Sequence, residues 1–172
     1  MNKQTKIVSI TLMVLALLLV LLLWANSLGL PDGASGQISL KLDGEFLVLL
    51  EREDLLALPS CDFQVTQRAG GKQAQENVYS GIELRVLLES YEVDVSQLRQ
   101  VKVRGADGYM AIITGSELRQ EGSVYLAYAV GGRDFPGSHP YQLVISNDYF
   151  ATRWCRLVAE IEAESLTHKR AH

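Results

Sequence analysis

The sequence is poor in the residues that most often carry chemistry. Its 172 residues include two cysteines and three histidines. Two cysteines exclude a disulfide-dense scaffold, a four-cysteine zinc site and a protein-ligated iron–sulfur cluster. No G-x-S-x-G elbow, G-x-G-x-x-G turn, Walker loop or H-E-x-x-H motif occurs. Acid is missing from the start of the chain. The first 30 residues contain Lys3 and Lys6 but no Asp or Glu, so residues 31–172 carry 14 basic against 20 acidic groups, a balance of −6. An acidic domain is a poor match to a phosphate backbone, which argues against nucleic acid as a partner. There are no internal repeats, and Leu, Val and Ile are too frequent for disorder. Once the N-terminal segment is set aside, the length suits one domain.

Ile7 to Trp24 is an uncharged stretch of 18 residues, broken only by Ser9 and Thr11. As a helix it spans about 27 Å at ~1.5 Å per residue, close to the hydrocarbon thickness of a bilayer. Lys3 and Lys6 precede it and the first acid after it is Asp32. The positive-inside rule then leaves residues 1–6 in the cytoplasm and the domain outside. The sequence predicts a single-pass cell-membrane protein with an anchor over 7–25, a linker over 26–37, an extracytoplasmic domain over 38–164 and a tail over 165–172. The competing reading is a cleaved signal peptide ending near Ala25-Asn26-Ser27, although the apolar run exceeds the usual h-region. Either way the domain is exported, and export permits a disulfide. A Cys61–Cys155 bridge would close a loop of about 100 residues, which the chain-entropy model values at about 4–5 kcal/mol. The alternative is two separate buried thiols acting as small hydrophobes.

Along the domain, Ile38, Leu40 and Leu42 alternate with polar residues, and Asp43-Gly44 turns the chain into Glu45–Leu50, a β-hairpin. Glu51–Leu58 reads as a short helix stopped by Pro59, and Asp62–Gln67 as a half-buried strand before a polar loop over Arg68–Asn77. Ser80-Gly81-Ile82-Glu83 has the form of a capping box. Behind it Leu84, Leu87, Leu88 and Tyr91 form an apolar helix face. Val101 and Val103 open a strand reaching Gly105, Asp107-Gly108 makes a turn, and Tyr109–Ile113 returns. Thr114-Gly115-Ser116-Glu117 is a second capping box, with Gly122 ending its turn. Val124–Val130, Tyr141–Ile145 and Trp154–Ile161 read as strands. Glu160, Glu162 and Glu164 alternate as on a sheet edge, where charge discourages pairing. Short helices among many strands predict a sheet-dominated α+β fold.

Few residues stand out as chemical. His139 is isolated and suits a structural or surface role better than catalysis. His168 and His172, at i and i+4 in a basic tail, lack the third ligand and rigid support of a metal site. Arg153 and Arg156 flank Trp154 and Cys155 and read as a solvated strand face. Two places could bind a ligand. The loop Gly131–Pro140 lets backbone amides approach and holds Arg133 for an anion. The turn Asp107-Gly108-Tyr109 offers Tyr109 as a rigid stacking group.

The order of these pieces resembles the oxidoreductase molybdopterin-binding domain, the central domain of sulfite oxidase and plant nitrate reductase. Leu55-Leu56-Ala57-Leu58-Pro59 is similar to that family's "L-x-x-L-P" segment. Tyr79 to Leu88 resembles its "y-x-G-v-x-L-x-x-L-L" helix, and Val103 to Tyr109 its "v-x-a-x-D-G-Y" turn. Pro140 to Ile145 resembles "P-x-r-l-v-v-P", and the late Trp154 the closing "W-v-x-x-I". The likeness covers residues 38–162 and implies a fold built on mixed sheets. It also implies molybdopterin as the candidate cofactor, for which Asp107, Tyr109, Arg133 and His139, from the turn and loop above, are the candidate contacts.

In the family, molybdenum is held by a Cys thiolate in a "t-C-x-G/N" segment after the strand that here is Asp62–Gln67. This chain reads Thr66-Gln67-Arg68-Ala69-Gly70-Gly71, without Cys, and the insert that carries pterin and phosphate contacts is short. The expected function is a membrane-tethered binding module for a small molecule or a membrane-protein partner, with no catalytic residue and no metal ligand. The alternative is a molybdopterin-dependent oxidoreductase passing electrons to a membrane partner, with Cys61 as a displaced metal ligand. An accessory subunit docking on a membrane complex is a third reading.

Overall fold

The computed structural model describes residues 13, 15–18, 20, 36–67, 74–148 and 150–167. The chain divides into two compact units, Met1–Asp32 and Gly33–His172. In the first, residues 13, 15–18 and 20 are helical and exposed. The rest of the expected anchor, most of the linker, the Gly70-Gly71 loop and the two tail histidines lie outside the described residues. Among the described residues no helix is long and apolar enough to cross a membrane.

The second unit holds two sheets. The first has the order β2-β1-β10-β5-β6, from strands β1 (Ile38–Leu42), β2 (Glu45–Leu50), β5 (Leu98–Gly105), β6 (Met110–Thr114) and β10 (Val158–Ser165). The β1–β10 pair is parallel and the rest are antiparallel. The second sheet runs β3 (Cys61–Gln67), β4 (Gln75–Glu83), β7 (Val124–Val130) and β8 (Arg133–Asp134), with β9 (Gln142–Ile145) also paired to β7. Among the described residues three short α-helices, α1 (Arg52–Leu56), α2 (Leu84–Ser90) and α3 (Gly115–Arg119), and a 3-10 helix at Val95–Gln97 complete the fold. One core cluster joins both sheets, through Ile38, Val101 and Ile161 from the first and Val65, Leu126 and Leu143 from the second. This is the sheet-dominated α+β fold expected from the sequence.

The hairpin forms as read, with Asp43 at φ 53° and Gly44 at φ 87°. Thr114 caps α3 through its side chain, and Glu117 returns the bond to the Thr114 backbone. The other capping-box expectation fails. Ser80 to Glu83 belong to β4, and α2 begins at Leu84. The Ser80 hydroxyl donates across the sheet to Asp62 (2.6 Å) instead of capping. Glu83 accepts from Arg85 and from the Gly122 backbone. Pairing on both sides of β4 outweighs a local helix signal. The apolar face of α2 survives, with Leu84, Leu87 and Leu88 buried.

Two further expectations are corrected. The last strand starts at Val158 rather than Trp154, because Trp154 and Cys155 sit in a turn-rich segment before it. That strand is also central, not an edge. Its three glutamates share one face and meet cations from both neighbours: Lys41 on Glu160 (2.6 Å), Arg104 on Glu160 (3.5 Å) and Lys102 on Glu162 (3.4 Å). Glu164 is paired with Lys102 and Arg99 and accepts from Gln100. Burial pushes the Glu164 carboxyl up, but these donors together hold it below its ordinary range. Period-two alternation reveals a shared face, not whether neighbours stand beside the strand.

Candidate ligand cleft

The second sheet carries a run of aromatic rings from one register. Phe63 on β3 faces Tyr79 on β4, and Tyr79 faces Val130 on β7. Phe63 stacks on Tyr125 with centroids 3.8 Å apart and on Tyr79 at 5.9 Å. Tyr79 meets Trp154 edge-on at 5.7 Å and Phe135 at a tilt, 6.4 Å away. The rings fix the wall of a cleft of about 360 Å³, lined by Tyr79, Phe135, His139, Tyr141, Gln142 and Arg156, with Val130, Pro136 and Leu157 adding apolar surface. The volume is at the lower end of the range for small-molecule sites.

Four separate stretches of chain build it. Beyond β7 the segment 131–140 brings Phe135 and His139, with the Phe135 backbone donating to Tyr128 O (2.9 Å). The start of β9 brings Tyr141 and Gln142. A single antiparallel bridge between Gln142 and Arg156 joins the last wall. Two polar atoms here, His139 Nδ1 and Tyr141 Oη, are buried without a hydrogen-bond partner. Such a group costs about 1–3 kcal/mol when left unpaired. Burial raises the Tyr141 hydroxyl above its ordinary value, with the Arg52 guanidinium working against it. Burial raises the Tyr79 hydroxyl too, and the nearby charge of Arg156 opposes that shift. No carboxylate lines the cleft. Among the described residues the Arg156 guanidinium makes no ion pair.

The residues singled out from sequence land in three places. His139 is in the cleft wall. Arg133 is exposed in an adjoining groove of about 630 Å³, which shares Val130, Phe135 and Pro136 with the cleft and is also lined by Glu76 and Asp134. Asp134 in turn is held by Arg52 at 2.5 Å. Asp107 and Tyr109 lie outside both. The Asp107 carboxylate accepts from the Tyr109 backbone (3.0 Å), and the Tyr109 hydroxyl donates to Thr152 O (2.7 Å). The Ala106 backbone donates to Leu157 O (2.8 Å). Gly105 completes the seam, since a Cβ there would stand 2.5 Å from Arg156 O. The turn is therefore stitched to the segment that carries Arg156 and acts on the cleft by positioning it. Sequence reading missed Tyr79, Tyr141 and Arg156 as a group. Arg156, read from sequence as part of a solvated strand face, sits instead before β10 and is bridged to Gln142.

Both cysteines are free, and the Cys61–Cys155 bridge is not formed. Cys61 is exposed at the start of β3, where burial and the Glu83 charge raise its thiol pKa. Cys155 is fully buried and donates to Tyr109 O (3.8 Å) and Arg156 O (3.5 Å). Burial, aided by the Asp107 charge, pushes its thiol up to about 12. Among the described residues no three His, Cys, Asp or Glu side chains group to hold a metal.

A search of curated proteins found no match. Among solved structures, the sulfane dehydrogenase SoxCD of Paracoccus pantotrophus superposes with a TM-score of 0.60 at 18% identity. The match covers 77% of this chain and 39% of that one, so this chain spans about two fifths of its length. At that identity the likeness establishes the fold. The family model for the oxidoreductase molybdopterin binding domain matches residues 39–171, nearly the whole second unit. With the expected motifs in place along this fold, the chain belongs to the oxidoreductase molybdopterin binding domain family.

Proposed function

We propose that this chain is a membrane-tethered, extracytoplasmic binding module, a family member whose site serves an organic ligand and not a thiolate-held molybdenum. The observation that carries this reading is the state of its two thiols. Molybdenum favours a soft thiolate ligand. Cys155, with its pKa near 12 and its proton directed at two backbone carbonyls, is a poor source of one. Cys61 pairs with Gly81 at one end of β3, whereas Gln67, where the family's metal-binding segment follows, pairs with Gln75 at the other. Six residues of strand separate those ends, about 20 Å at ~3.3 Å per residue. The residues present therefore do not fit a thiolate-bound metal, and no reaction step is derived through one. The tether is supported by the uncharged run from Ile7 to Trp24 behind Lys3 and Lys6.

The test is to produce the full chain in one host that makes molybdopterin and another that cannot. A bound cofactor stabilises the folded state by mass action. The expected result is the same melting temperature from both hosts. A melting temperature several degrees higher from the cofactor-making host, together with bound molybdenum, would overturn the reading. A reporter fused after His172 that is active only in the cytoplasm would contradict the orientation.

A further inference from the structure

We propose that the cleft binds a flat aromatic mono-anion of the arene carboxylate class, with Arg156 as its anchor. The inference rests on the binding-module reading and names the ligand of that site. Three features set the ligand's chemistry. The walls are aromatic: Tyr79 is 6% exposed and Tyr141 3%, and Phe135 packs at a tilt on Tyr79. A planar ring suits such walls, because offset or edge-on contacts between rings add about 0.5–1.5 kcal/mol beyond burial.

The polar groups set the charge. Arg156 is a cation with no acidic partner among the described residues, in a cleft without a carboxylate. The buried Tyr141 hydroxyl needs an acceptor, and His139 Nδ1 serves as a second donor in the tautomer that places its proton there. A carboxylate accepts from a guanidinium and from hydroxyl or imidazole donors at once, through two oxygens. A carboxylate is one simple group that accepts from all three kinds of donor.

Size and charge count separate this ligand from a phosphorylated pterin. The cleft holds a ring system of about one or two fused rings. Its lining holds one arginine, Arg156; Arg52, beside the Tyr141 hydroxyl, is paired with Asp134, and Arg133 lines the adjoining groove. A single arginine matches a mono-anion and leaves a phosphate dianion half compensated.

The experiment titrates the full chain in detergent micelles with 2-naphthoate, its neutral isostere 2-naphthamide and 2-naphthyl phosphate, read by calorimetry. The expected result is saturable, one-to-one binding of 2-naphthoate. The amide should bind at least about tenfold more weakly, as loss of a charge-assisted contact implies. Arg156→Gln should weaken 2-naphthoate by about tenfold or more, Arg156→Lys should restore most of it, and Arg133→Gln should leave it unchanged. No binding of 2-naphthoate at millimolar concentration would overturn the proposal. So would equal affinity for the amide, indifference to Arg156→Gln, or tighter binding of the phosphate. Each of these outcomes is independent of metal content, so the ligand class can fail while the binding-module reading stands.

Discussion

Gly105 is the point where the Asp107 turn meets the segment carrying Arg156, and changing it to alanine tests whether that seam holds the cleft together. A Cβ at this position would lie 2.5 Å from Arg156 O, 2.5 Å from Asp107 Oδ1 and 3.3 Å from the Cys155 sulfur. The Asp107 side chain can swing away, but Arg156 O is backbone and accepts from the Cys155 thiol. One of the two backbones must therefore shift. Overpacking of this kind costs about 1–3 kcal/mol. For a domain of this size each kcal/mol moves the melting temperature by about 3–5 °C, so Gly105→Ala should melt about 3–15 °C lower. Urea titration with a tryptophan signal measures the loss as a lower midpoint at unchanged slope. A thiol reagent supplies the local readout. Cys155 is fully buried in the native chain, and the displaced seam should let it react before global unfolding. A variant with unchanged midpoint and an equally protected Cys155 would refute the assignment of this seam as rigid.

Three other outcomes follow from the same geometry. Thr114→Ala removes a cap that bonds in both directions and should cost about 0.5–2 kcal/mol in denaturant unfolding, whereas Ser80→Ala, outside any cap, should cost less than about 0.5 kcal/mol; equal losses would contradict the two assignments. Glu164 and Glu117 both have folded pKa values below the ordinary 4.5. For Glu117, burial acts upward and is outweighed by bonds from the Thr114 backbone and Arg153. Groups of this kind add stability above the unfolded value that is lost as pH falls through the folded one, so unfolding free energy should be flat near neutrality and decline below about pH 4.5. Glu164→Gln should flatten that decline, and an unchanged acid limb would count against the ion-pair ladder. In labelling with iodoacetamide, Cys61 should react in the native protein and Cys155 only after denaturation, with two labelled thiols in denaturant without reductant. Two labels appearing only after reduction, and none without it, would restore the disulfide.

What was legible in the sequence was local. Asp43-Gly44 and Thr114 to Glu117 act through bonds within a few residues, so their patterns survive in the fold. Ser80 to Glu83 match the same capping pattern, yet their backbone is claimed by β3 on one side and β7 on the other. Nothing within four residues of Ser80 announces that claim. The glutamates of β10 show the same limit, since Lys41 lies 119 positions from Glu160. The family was legible because its motifs are short and ordered along the chain. The cleft was legible only in the loop Gly131–Pro140, which supplies Phe135, Pro136 and His139. Tyr79, Tyr141 and Arg156 come from different strands and connecting segments and meet only through sheet register and the Gln142–Arg156 bridge.

The central claim is that this family member binds without a thiolate-held metal, and its most direct test is molybdenum and pterin content. The full-length chain would be purified from its own host membranes in mild detergent, then assayed for molybdenum by elemental mass spectrometry and for pterin by fluorescence after oxidation. The expected result is far less than one molybdenum per chain and no matching pterin. Near-stoichiometric molybdenum with pterin, lost in Cys61→Ser, would contradict the account and make the chain a metal-dependent oxidoreductase.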